Sequence, residues 1–351
     1  MMIVALLSLK YISHYDSKKY VQTNKYNETC LLIVFLILFI GLRPVGWGHF
    51  GDSAFTWHTY ENIYKYVPFS FNYETANLVY DNLLAFFASL DLGLSLFFLI
   101  CAAIYFGASF VGIKKLFPRH YVAVYLMYLA AFSTYSYAVN GVKAGTAASL
   151  FIMAMGYSRQ WMICVSLMML SYGFHHSMHV PIVAYILTCF FKNPKVYFIG
   201  WFLCFLMALC HVTVFQNLFS GMTDNAGAGY LSGNRDGDIA LEADRGGFRP
   251  DLILYSFMPI WVGYIAIYKK KIYSPTYNTL LCLYLTTNAL WLLCMYALFT
   301  NRIAYLSWFL YPIVLIYPIF LPQWGENRFQ LIAKIMLAHL SFTLFMNFIY
   351  Y

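Results

Sequence analysis

Residues 161–191 are apolar for 31 positions, interrupted only by the polar cluster FHHSMHVP. As one helix the stretch would reach about 46 Å at ~1.5 Å per residue, against a hydrocarbon layer of about 30 Å. A single span would need a severe tilt. Two short spans that meet at the histidines fit better. The chain is therefore built for a bilayer, and its polar clusters stand where spans end.

Composition extends that reading to the whole chain. Hydrophobic residues make up 62% and charged residues 10%, where a soluble domain carries roughly 45–50% and about 25%. The expected fold is an all-α polytopic membrane protein with about eleven or twelve transmembrane helices. Residues 1–351 are expected to form one transmembrane domain, with long outer loops at about 43–91 and 217–250. No soluble domain fits in the remainder. The net charge of +8 is not a nucleic-acid signal, because in a membrane protein the side on which cations lie matters more than their sum. The eight cysteines form no CxxC pair and read as small buried apolar residues. Residues 1–13 are short for a span. They lack the basic start and small-residue cleavage site of a signal peptide.

Charge sets the expected topology. Loops and span ends containing Lys18, Lys19, Lys25, Lys114, Lys115, Arg119, Arg159, Lys192, Lys195, Lys269, Lys270, Lys271 and Arg328 are placed inside. With Lys10 and Lys334 this side holds fifteen of the 22 basic residues, but only Asp16, Glu28 and Glu326 among the 14 acids. That asymmetry is what the positive-inside rule asks for. Spans are expected at about Cys30–Leu42, Leu92–Ile113, Tyr121–Val139 and Gly141–Tyr157, with a surface helix over Tyr80–Leu90. Ile303–Leu321 is a later span. The outer side then holds Arg43, Lys65, Lys143, Arg235, Arg245, Arg249 and Arg302, against the rule.

Of these, Arg43, Lys143, Arg245, Arg249 and Arg302, at or next to outer span ends or in the outer loops, are candidate anion ligands. Guanidinium forks match phosphate oxygens in paired hydrogen bonds. Each one alone also fits a side chain reaching to lipid head groups. Asn140 and Lys143 open the stretch that ends in His175, His176 and His179, and ionisable groups in such a setting mark a site by default. His175 is the first candidate general base, since imidazole takes a proton from a hydroxyl near neutral pH. Lys143, approaching from a nearby span, would help keep that ring neutral. His179 is the second candidate. On a continuous helix it shares a face with His175, while His176 points about 100° away. Asp52 is the acidic alternative, or an ordinary turn aspartate. The acidic run Asp236–Asp244 is either a solvated loop or a mobile sugar-binding one. No HExxH pattern accompanies the histidines, so no metal and no other cofactor are expected.

Several of these residues stand in a recognisable order. Gly41–Leu42–Arg43 and Gly51–Asp52 come first, then Asn140–Gly141–Val142–Lys143. Phe174–His175–His176–Ser177 and a late NRIAYLSWFLYP with Arg302 and Tyr305 follow. The arrangement resembles the EpsG family of Wzy-type polymerases, which assemble O-antigen, capsule or exopolysaccharide. The resemblance runs over roughly residues 30–320. At position 143 the family usually has arginine; Lys143 keeps the charge without the planar fork.

The resemblance implies a glycosyltransferase similar to metal-independent lipid-linked glycosyltransferases with an all-helical membrane fold. Such an enzyme transfers a growing glycan from undecaprenyl diphosphate to a repeat unit on a second such carrier, at the outer face of the bacterial cytoplasmic membrane. Of the catalytic candidates, His175 and Asp52 stand at the family's motif positions, and His179 remains the second imidazole candidate from the cluster itself. Arg43, Asn140, Lys143, Arg302 and Tyr305 stand at its motif positions for diphosphate and sugar, and Arg245 and Arg249 join them as outer cations. The expected partners are undecaprenyl-diphosphate-linked oligosaccharides, membrane lipids and a chain-length regulator protein; nucleic acid is not among them. The competing readings are a flippase for lipid-linked oligosaccharide, a membrane acyltransferase acting on a surface glycan, and a structural or assembly subunit with no chemistry. A flippase would line a midplane path with charge, often between two similar halves, whereas these charges cluster at the outer boundary.

Overall fold

The structure, a computed structural model, describes residues 25–45, 51–220, 247–297 and 300–346. Every regular element among them is helical, and no strand is present. The first eight helices are α1 (Lys25–Gly41), α2 (Gly51–Thr59), α3 (Leu78–Ser89), α4 (Leu94–Leu116), α5 (Tyr121–Leu129), α6 (Phe132–Val139), α7 (Val142–Gly156) and α8 (Trp161–Phe174). The next are α9 (His179–Phe190), α10 (Pro194–Leu209), α11 (Val214–Ser220), α12 (Pro250–Tyr264) and α13 (Pro275–Leu293). The last are α14 (Thr300–Trp308), α15 (Tyr311–Ile316) and α16 (Arg328–Phe345). Residues 1–13, Arg235, Arg245 and the run Asp236–Asp244 lie outside the described residues.

The chain is an all-α polytopic membrane protein. Among the described residues, by length and composition, two helices, Leu94–Leu116 and Pro250–Lys269, can cross a membrane alone. Two bent pairs raise that number to four, and six more apolar helices are shorter, at 10–17 residues. Against about eleven or twelve expected spans, most apolar segments are thus shorter than a full crossing or broken. Ten to 17 residues reach only about 15–26 Å at ~1.5 Å per residue.

The breaks have physical causes. The expected span Tyr121–Val139 bends by 68° between α5 and α6. Ala131 is extended there, so the carbonyls before it lose their helical donors. Hydroxyls make up the bonding: Thr134 Oγ1 donates to Tyr128 O at 2.5 Å, beside the Ala131 N–H at 3.1 Å, and Thr343 Oγ1 of α16 donates to Ala130 O at 2.6 Å. A buried carbonyl needs such a partner where no water reaches it. The expected span Ile303–Leu321 bends by 44° between α14 and α15. Pro312 opens α15, and a proline ring can neither donate nor continue the preceding turn. The long apolar run breaks where the sequence suggested: α8 stops at Phe174, His176–Met178 form a 3₁₀ turn, and α9 follows.

Two compact units divide the chain, Met1–His179 with Gly325–Tyr351, and Val180–Trp324. In the first, α4 is the central helix. It buries Phe97, Phe98, Cys101, Tyr105, Phe106 and Ile113, among others, and packs on α1 and α7. Contact with α7 is close at Gly112, where an added Cβ would lie 2.6 Å from Ile152 O. The segment expected as an outer loop, 43–91, is largely helical. It contains α2, a π turn at Tyr60–Tyr64, and α3. Helix α3 buries Tyr80, Leu84, Phe87 and Ala88, a stripe at helical spacing, and lays Val79 against Gly173 of α8.

This unit sorts its charges to two ends. At one end Lys114 stands 5.6 Å from the Tyr121 ring and Lys115 4.8 Å from the Tyr157 ring. The His120 ring lies 6.2 Å from that of Phe329. Its pKa is lowered by burial first, and then by Arg328 and Arg119. These are the segments expected inside. The segments expected outside meet at the other end, around Arg43, Lys143 and His175.

In the second unit α13 is central and buried on most sides. Helices α10 and α13 start alike, with a capping side chain followed by proline. Asn193 Oδ1 accepts from Lys195 N at 3.1 Å, and Ser274 Oγ from Tyr277 N at 3.3 Å. Such caps satisfy amides the first turn leaves over, and proline there lacks the amide anyway. The buried amide of Asn288 on α13 is matched on both sides. Trp201 Nε1 donates to Asn288 Oδ1 at 2.8 Å, and Asn288 Nδ2 donates to Ser307 Oγ of α14 at 3.1 Å.

Candidate active site

The site begins with a loop that is tied down by its own amides. Asn82 Oδ1 accepts from Asn72 N at 2.7 Å, and Asn82 Nδ2 donates to Asn72 O at 2.8 Å. Thr75 Oγ1 donates to the Asp81 carboxylate. These bonds fix the entry into α3, whose N-cap position is Asn77. Asn77 Nδ2 faces Asp81 Oδ2 at 3.5 Å. Its Oδ1 faces the histidine cluster. His175 Nδ1 lies 3.1 Å from it, His176 Nδ1 3.2 Å, and the His176 backbone N–H donates to it at 3.2 Å. Asn77 is 8% exposed, so this contact is made away from solvent.

The two imidazoles stand edge to face, with centroids 5.2 Å apart. This corrects the expectation that His176 points about 100° from His175 toward neighbouring spans. That angle belongs to a continuous helix, and His175 is extended, at φ −150° and ψ 115°. The same break separates His175 from His179, so the two do not share one helical face. His179 is exposed and bonds through Nδ1 to His176 O at 2.8 Å. Among the described residues no three His, Cys, Asp or Glu side chains are grouped to hold a metal ion.

Lys143, in the first turn of α7, holds its ammonium 5.6 Å from the ring centroid of Tyr80. Tyr80 is three residues beyond Asn77, on the first turn of α3. One turn of helix therefore bonds the histidines and carries the lysine. Among the described residues Lys143 has no ion-pair partner. A cation over an aromatic face is attracted by the ring quadrupole, while its charge stays available to an anion.

The other expected anion ligands are placed differently. Arg43 donates to protein oxygens through both terminal nitrogens: Nη1 to Ile40 O at 2.8 Å, Nη2 to Ser53 Oγ and Val139 O at 2.7 Å each. Ser53 Oγ also donates to Val139 O. The guanidinium lies 4.8 Å from the Phe98 ring centroid. Arg43 thus ties the end of α1 to the start of α2 and the end of α6. A cavity of ≈ 10 Å³ beside it is lined by Phe98, Cys101, Tyr137 and Thr146, room for about one water and not for a sugar. Asn140 follows Val139 at the α6–α7 junction, with its side-chain oxygen buried and without a hydrogen bond. Asp52, beside Ser53, lies in the first turn of α2.

Lys65 is paired with Glu61 at 3.0 Å and with Asp91 at 3.4 Å. The hydrogen bond to Glu61 is the largest influence holding its pKa above the ordinary value. In the second unit both prongs of Arg249 are spent on Asp251, from Nε at 3.0 Å and Nη2 at 2.7 Å. Arg302 is exposed on α14, and Tyr305 on the same helix sets its ring 5.3 Å from that of Trp308. Lys143 is thus the expected ligand in the first unit whose charge is neither paired nor turned into the protein.

Sequence reasoning missed Asn77. It is one asparagine in a polar loop, 98 residues before His175, and nothing local marks it.

A family model, that of the EpsG family, matches residues 28–351. No curated protein and no solved structure matches the chain.

Proposed function

The chain belongs to the EpsG family, and we propose that it is a membrane glycosyltransferase that polymerises lipid-linked oligosaccharide repeat units. Family membership supports a Wzy-like polymerase at the level of the family. The finer reading is that the donor glycan rides on undecaprenyl diphosphate. The acceptor is a single repeat unit on a second carrier of the same kind. The carrying observation is the convergence of His175 and Lys143 on the first turn of α3.

The chemistry follows from what each group can do. A hydroxyl of the acceptor sugar attacks the anomeric carbon at the reducing end of the growing chain. A new C–O bond forms as the bond to the diphosphate breaks, and the lipid diphosphate leaves with the electron pair. His175 takes the hydroxyl proton, which makes the oxygen a better nucleophile as the bond forms. Lys143 meets negative charge developing on the departing diphosphate, where a fixed cation is worth most. Asp52 is the alternative proton acceptor, and His179 the second imidazole. Asn140, with its unmatched buried oxygen, is proposed to turn to a sugar hydroxyl.

The proposed location is the bacterial cytoplasmic membrane, with the His175 end facing out. Deleting the gene tests the function directly. A surface glycan reduced to one capped repeat unit is the polymerase outcome, and loss of all repeat units is the flippase outcome. Orientation has its own test. In a background with Cys189 and Cys210 replaced by serine, Glu74→Cys should react with an impermeant thiol reagent added to intact cells. Arg159→Cys should react only after permeabilisation. The opposite pattern would invert the topology and remove the reading of this end as the site.

A further inference from the structure

We infer that Asn77 is the positioning residue that selects the tautomer of His175, so that the ring presents Nε2 as its basic nitrogen. The inference rests on the reading of His175 as the base. It adds which nitrogen does the work and which residue sets it.

The argument starts from the one donor whose chemistry is not in question. A backbone N–H can only donate, and that of His176 points at the Asn77 side chain from 3.2 Å. The Asn77 atom it meets must therefore be the oxygen. The other end of the amide agrees, because Nδ2 faces the Asp81 carboxylate, which accepts only. Asp81 is itself held by Thr75. The amide cannot turn over without setting oxygen against carboxylate and nitrogen against N–H.

The oxygen in turn dictates the ring. His175 Nδ1 is 3.1 Å from Asn77 Oδ1. A neutral imidazole carries its proton on one nitrogen and a lone pair on the other. A lone pair on Nδ1 would face the lone pairs of Oδ1 at that distance, with no proton between them. The stable arrangement has hydrogen on Nδ1 and the lone pair on Nε2, the second nitrogen's role being set by the bond the first one makes. His176 meets the same oxygen through Nδ1 at 3.2 Å and is set the same way. An oxygen with two lone pairs shared by three donors holds each less tightly than a single partner would. The arrangement orients the rings without drawing the proton off either one. A carboxylate in that place would instead favour the imidazolium and remove the base.

The test uses the full-length protein in detergent with ¹⁵N-labelled histidine. The His175 signals are assigned from their loss in His175→Gln. Wild type is expected to show the neutral ring with its proton on Nδ1. Asn77→Ala is expected to divide the ring between both tautomers and to lower turnover by roughly ten-fold, the scale of one lost hydrogen bond. Asn77→Asp keeps an acceptor and nearly the same shape but sets a carboxylate oxygen against Asp81, so it is made together with Asp81→Asn, and the pair serves if the alanine variant does not fold. This double variant should retain the Nδ1-protonated form, titrate at higher pH, and move the acid limb of the pH–rate profile upward. A tautomer and titration unchanged in both variants would overturn the role of Asn77. Full polymerisation by His175→Ala would sink the reading of the base, and the nitrogen spectra would still decide what Asn77 does.

Discussion

His175→Ala should cut polymerisation by ~10²-fold or more, the usual range for removal of a general base, with the protein still present in the membrane. The measurement is the length distribution of surface glycan in cells carrying only the variant. His175 has three controls. His176→Ala removes a ring that shares Asn77 but leaves the His176 backbone N–H in place. It should therefore cost much less. His179→Ala removes an exposed ring bonded only to its own turn among the contacts described and should cost least. Asp52→Asn removes the acidic alternative. If His175→Ala makes full-length chains while Asp52→Asn makes none, the base is Asp52 and the histidines are structural. A base must be unprotonated to act, so wild-type activity should fall in acid.

The parts of this picture that sequence made legible are those governed by length and polarity. A run of 31 apolar positions is too long for one crossing, and FHHSMHVP is the only place in it where a polar break costs little. The structure breaks there. The sorting of Lys114, Lys115 and Arg119 away from Arg43, Lys143 and His175 was legible for a similar reason. The helix expected over Tyr80–Leu90 forms as α3, with its stripe of Tyr80, Leu84, Phe87 and Ala88 buried within the unit.

What stayed hidden depends on partners far along the chain. Nothing between Leu129 and Phe132 announces a 68° bend: there is no proline, glycine or charge. Thr343, 213 residues away, supplies the hydroxyl that Ala130 O needs. Arg43 stood at the right end, but sequence could not say that its fork would be spent on Ile40, Ser53 and Val139. Arg249 differs, since its partner Asp251 is only two residues on, yet it fills the fork. The orientation of His176 failed because a helical angle was carried across a residue that is extended. In the other cases the residue type was readable and its partner was not.

The second large effect is expected at Lys143. Its ammonium lies against Tyr80 and has no carboxylate among the described residues, so little in the protein competes with an arriving diphosphate. Charge-assisted hydrogen bonds are typically worth ~1.5–3 kcal/mol, or roughly ten- to a hundred-fold in rate. Lys143→Met keeps the length and the apolar stem and removes the charge. It should lower polymerisation by that factor, with protein levels and membrane insertion unchanged. Lys143→Arg should be tolerated, because guanidinium also stacks on aromatic faces and adds a fork that matches phosphate oxygens. Tyr80→Leu separates position from charge: it leaves the cation and removes the ring beneath it. If Lys143 acts on the anion from a fixed place, Tyr80→Leu should weaken activity less than Lys143→Met does. Equal losses in Lys143→Met and Lys143→Arg would mean that this side chain matters for its packing on α3. Wild-type activity in Lys143→Met would remove it from the site.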